Sequence, residues 1–240
     1  TLLASSAASD VYKRQEETQA TQITKFTNTQ NRIEGKDFAA LDPQQERIKD
    51  ELSFSNIQYL YKSGAVVEDP ARQISLDEAI IAQACSADEL SVVATAKRNI
   101  GALTENINKV PYKLLFNGGT NSFALVNNVR VARVVDSFLS QEEATATGRK
   151  RLVLVHGNRF LLHMVLSEIK HRENYSSTFL DVAELPAQVI PLSQKYWDLI
   201  FVAMEECYPD AYPAHIFKNI GRLKDIKERM SINYQIEAAV

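Results

Sequence analysis

Cysteine, glycine and proline are scarce in this sequence: two, eight and seven among 240 residues. Cys85 and Cys207 lie far apart and match neither a disulfide framework nor a zinc-ligand spacing, so a reducing, cytoplasmic compartment is expected and metal or thiol chemistry is not. So little Gly and Pro excludes collagen-like and low-complexity chains. No apolar run reaches the roughly 18 residues of a membrane span. The most apolar stretch, 152–165, is broken by His156, Asn158, Arg159 and His163, so no membrane partner is expected. Charge of one sign is missing too: 27 Lys and Arg against 30 Asp and Glu leave a net charge of -3. That excludes a global polycation on nucleic acid but leaves a local basic face open. What is present is an ordinary globular composition, 45% hydrophobic and 24% charged, with ample apolar mass for a core.

The N-terminus reads differently from the rest. Residues 5–15, SSAASDVYKRQ, resemble the in-frame translation of a transposase-type sequencing adapter, and 1–15 are expected to be an artefact. With Thr rather than Met at position 1, the chain is expected to be the C-terminal portion of a longer protein. Downstream, helix signals dominate. Asp42-Pro43 with Gln45 has the form of a capping box that starts a helix over 43–53. Ser75 with Glu78 and Ser86 with Glu89 repeat the pattern and predict helices over 76–85 and 87–99. Ile57, Tyr59 and Tyr61 alternate with polar residues and predict a strand or hairpin near 57–67.

A helix should begin near Asn121, burying chiefly Phe123, Val126, Val129 and Phe138, with a polar connector over 141–150. The longest periodic segment, 151–172, predicts a helix inside a bundle. Further helices are expected over 178–185, stopping before Pro186, then from Leu192 or Ser193 to Cys207, and over 215–230. The fold class is mainly α, a helical bundle with one small β element.

Residues 27–52 carry something more specific. Thr27, Asn28, Gln30, Asn31 and Ile33 are followed by Asp37, Phe38, Leu41, Asp42 and Gln45. This pattern resembles the AIPR family, bacterial proteins named for abortive infection phage resistance, and it continues through YLYKSG, ISLDEAIIAQAC and VPYKLLF over about residues 22–116. Family members also carry an upstream motif of the N-G-x-Q-T type that this chain does not contain. The resemblance implies a fragment of a phage-defence protein that acts on or senses nucleic acid. In that reading, 16–120 is the C-terminal part of the family domain, 121–240 a helical region, and the whole a scaffold completing a site with a missing N-terminal domain. The alternative is a non-catalytic helical interaction or nucleic-acid-binding module.

Two sets of residues carry candidate chemistry. The amides of Asn28, Gln30 and Asn31, with Lys25 and Arg32 beside them, can read a base edge or hold a phosphate oxygen of a nucleic acid or nucleotide. The same amides equally serve to cap a helix end or bond main chain in a tight loop. His156, Arg159 and His163 are spaced to share a helix face, suited to acid-base work or to gripping a phosphate. Alternatively the two histidines line a bundle seam as structural groups. Asp37 and Asp42 have no third carboxylate at ligand spacing, so no metal is expected. The residues name no cofactor and no oligomeric state.

Overall fold

The computed structural model describes residues 39–62 and 65–238. Within them lie nine α-helices, one 3-10 turn and two short strands, in the order α1 (Pro43–Ser53), β1 (Gln58–Leu60), β2 (Gln73–Ser75), α2 (Leu76–Ser86), α3 (Leu90–Arg98), a 3-10 turn (Ile100–Leu103), α4 (Val110–Leu115), α5 (Ser122–Thr145), α6 (Gly148–Ile169), α7 (Leu185–Cys207), α8 (Pro213–Ile216) and α9 (Ile220–Ala238). The fold is mainly α, as the periodicity predicts.

Local hydrogen bonds set several of these starts. Asp42 caps α1 by accepting from the Gln44 amide at 3.1 Å, with Pro43 at the first helical position where no N–H is needed. Ser75 and Glu78 close both halves of a capping box at α2. Asn121 accepts from the Ala124 amide at 2.8 Å to open α5.

The box expected at Ser86 and Glu89 does not form. Ser86 bonds back to the Gln83 carbonyl at 3.0 Å, and α3 begins at Leu90 with no side-chain cap from Glu89. The strand option near residue 58 holds, but β1 does not return as a hairpin. It pairs in parallel with β2, Tyr59 opposite Ile74, and the outward Gln73 amide donates to Gln58 at 2.8 Å.

The connector expected over 141–150 is almost entirely helical, broken only between Thr145 and Gly148, where Gly148 adopts φ 55°, a conformation that favours glycine. No helix forms over 178–184. Pro186 opens α7 rather than ending a helix, and α7 runs on through Pro191. Phe123 is only half-buried, its ring tilted against that of Phe179 with centres 4.6 Å apart, while Leu125, Val131 and Val135 join Val126 and Val129 in the core.

One core holds the elements together, from Ala39 to Met230. The helix α6 is its axis, packed against α2, α3, α5, α7 and α8. It is also the one described helix long and apolar enough to cross a membrane by composition, and over half of its most apolar window is buried inside the bundle. Arg130 and Arg133 on α5 tie the β2 segment to this core. Arg133 reaches the Gln73 carbonyl at 2.8 Å and Glu78 at 2.7 Å, and Arg130 the Ala71 carbonyl at 3.1 Å. Burial raises the Glu78 carboxyl, but the bonds from Arg133 and Ser75 outweigh it and hold the group below the ordinary carboxylate value.

Candidate functional site

The middle of α6 brings four basic side chains from separate parts of the chain to one face. At Gly157 a Cβ would come within 3.0 Å of the Phe217 ring, so the missing side chain is what lets α8 and its following turn pack this closely. Lys218, next in sequence, is thereby carried to the His156 side of α6. From α3, the Lys97 ammonium donates to the Val155 carbonyl at 2.8 Å and to the Asn158 side-chain oxygen at 2.9 Å. His156 rests against the Tyr212 edge at 5.7 Å, and Arg159 lies three residues further along α6.

These groups raise one another's energy. Partial burial, then the charges of Arg159 and Lys218, push Lys97 down to about 8. Burial, then Lys97 and Lys218, lower His156. Asp136 of α5 faces Arg159, yet its carboxyl is shielded enough from water to be raised above the ordinary value despite that cation. Among the described residues, none of Lys97, Arg159 and Lys218 forms an ion pair with a carboxylate within 4.0 Å. Like charges gathered with no carboxylate in close ion-pair contact are unfavourable in the empty state and ready for an anion.

The sequence trio therefore divides. His156 and Arg159 stand on this face. His163 does not: it is 1% exposed, with Nδ1 3.0 Å from the Cys85 carbonyl. A carbonyl only accepts, so Nδ1 carries the proton, and Nε2 is left to accept from the Lys227 ammonium at 3.4 Å. Burial and the Lys227 charge push His163 down to about 4, so it is neutral near pH 7. It ties α2, α6 and α9 together as a structural group.

Lys25, Asn28, Gln30, Asn31, Arg32 and Asp37 lie outside the described residues. What stands just downstream is a polar network that the spacing concealed. Gln45 is fully buried and donates to the Tyr112 hydroxyl at 2.9 Å while accepting from Tyr59. Tyr112 in turn donates to Asp42 at 2.8 Å. The Asp42 carboxylate is thus taken up by a helix cap and a tyrosine, and Gln45 belongs to the core rather than to a reciprocal cap. Among the described residues, no group of three or more His, Cys, Asp or Glu side chains is arranged to hold a metal ion.

Lys97 was not legible as a site residue, because it looks like a solvated helix-end cation until α3 docks on α6. A cleft of about 670 Å³ opens beside β1, but Lys49, Arg72 and Asp69 line it with charges of both signs.

Residues 6–147 match the family model described as AIPR protein. The chain belongs to the AIPR family. It is accordingly a phage-defence protein of the abortive-infection kind for which the family is named. The AIPR match begins inside the segment read as adapter and ends at Thr147, the cap of α6, so Lys97 falls within it while His156, Arg159 and Lys218 lie beyond. No protein of curated function and no solved structure matches the chain.

Proposed function

We propose that this AIPR protein contributes to phage defence by binding nucleic acid through its backbone phosphates, on the face formed by Lys97, His156, Arg159 and Lys218. The observation that carries the reading is the convergence of these groups from α3, α6 and the turn after α8 without a paired acid. A phosphate oxygen accepts from Arg and Lys together, and neutral His156 can add an N–H. The charges are sequence-blind, so the expected binding is salt-dependent and weakly selective for base sequence. The amide-rich segment with Lys25, Asn28, Gln30, Asn31 and Arg32 is proposed as a second contact to nucleic acid or nucleotide, since one family match spans it and Lys97.

The test is fluorescence anisotropy with labelled 20-nucleotide single strands and duplexes, comparing the full chain with the Lys97→Gln, Arg159→Gln, Lys218→Gln triple variant. Losing about three phosphate contacts should weaken binding at least tenfold at low salt. Equal affinity of the two proteins would remove this face from the function.

A further inference from the structure

Where α6, α7 and α9 meet, a cavity of about 300 Å³ opens that shares no lining residue with the basic face. Met164, Leu199 and Met230, one from each helix, give it an apolar lining. Tyr196 and Tyr234 flank it, and the Lys195 ammonium stands 5.3 Å from one ring centre and 4.5 Å from the other. Two phenol rings and two thioethers attract a flat aromatic surface more than an aliphatic chain.

The charges lining this cavity do not cancel. Lys195 lies 3.7 Å from Glu168, which also accepts from the Tyr196 hydroxyl at 2.6 Å. Lys227, half-buried on α9, forms no ion pair with a carboxylate within 4.0 Å among the described residues. Its side-chain contact is a long one, 3.4 Å to Nε2 of His163, a neutral group that leaves the charge unanswered. An ammonium has three N–H donors, so two remain for a ligand. Two cations against one acid leave a single positive charge, which suits a monoanion better than a phosphate dianion. We propose that this cavity binds a small planar aromatic carboxylate, its ring among Tyr196, Tyr234 and the two methionines and its carboxylate on the Lys227 ammonium.

The methionines supply the readout. Of the three in the chain, Met164 and Met230 line the cavity, while Met204 is fully buried in the core outside it. The experiment titrates the full chain, methyl-labelled at methionine, with cinnamate and follows the methyl signals by NMR at neutral pH. Cinnamate should shift Met164 and Met230 saturably, with a Kd of about 1 mM or tighter for a ligand of about eleven heavy atoms, and leave Met204 in place. Cinnamamide, which lacks the charge, should bind about tenfold more weakly. Octanoate, which lacks the ring, should lose about threefold. Lys227→Met should cost cinnamate about tenfold, and Lys227→Arg should retain most of the affinity. No saturable shift, equal shifts at Met204, or cinnamamide or octanoate binding as tightly as cinnamate would overturn the assignment, and none of these results depends on a variant folding.

Discussion

Replacing His163 by Asn should flatten the acid side of the stability curve. In the folded chain His163 takes its proton only near pH 4, while in the unfolded chain it does so near 6.5. Between those values the unfolded state binds more protons, so stability rises with pH there, is complete above 6.5, and falls as the pH drops toward 4. At about 1.36 kcal/mol per pH unit, the drop attributable to this one side chain between pH 7.5 and 4.5 is about 2 to 3 kcal/mol. Asn can still donate to the Cys85 carbonyl but does not titrate. It loses the Lys227 bond and the stacking on Phe160, 6.2 Å between ring centres, so the variant should start about 1 to 3 kcal/mol less stable at pH 7.5. Urea unfolding followed by circular dichroism at half-unit steps of pH measures both curves. Carboxylates held low in the fold away from His163, such as Glu78, lose stability in acid in both proteins, so the difference between the curves reports the histidine together with its coupling to Asp88. Parallel curves from pH 7.5 to 4.5 would refute the buried neutral histidine.

Other substitutions test the packing that positions the face. Gly157→Ala pushes a methyl to 3.0 Å from the Phe217 ring, itself 2% exposed, and should cost about 1 to 3 kcal/mol by thermal melting. Gln45→Leu leaves the Tyr59 and Tyr112 hydroxyls without their shared amide and should cost roughly 2 to 4 kcal/mol in urea unfolding. A Tyr112→Phe change made on top of it should cost less than it does alone. Arg133→Met frees Glu78 and two β2-segment carbonyls and should cost about 1 to 3 kcal/mol, with hydrogen exchange rising first at residues 70–75.

What was legible in the sequence is what neighbouring residues decide among themselves. Asp42, Ser75 and Asn121 each accept from an amide two or three positions away, so these helix starts carry to the structure, although only Ser75 with Glu78 closes the reciprocal half of its box. Ser86 with Glu89 has the same spelling and fails, because Ser86 bonds back to Gln83 while Lys170, from the end of α6, takes the Ser86 carbonyl. Pro186 is ambiguous by nature: it suits a first turn as well as a stop, and the buried Leu185 and Val189 decide in favour of a start. The partner strand β2 is three residues long, too short for alternation to show, and exists because β1 and Arg133 hold it. His156 and Arg159 were legible as a polar interruption of an apolar run. Their cationic neighbour Lys97 was not, since it reaches them through packing between distant segments.

The binding claim is tested most directly by the salt dependence of affinity. Log K for a labelled duplex, plotted against log salt for the full chain, should be linear with a slope near -0.9 per phosphate contact. Each of Lys97→Gln, Arg159→Gln and Lys218→Gln should reduce its steepness by roughly one contact. A flat plot for the unaltered protein, or three variants whose slopes match its own, would contradict phosphate binding at this face.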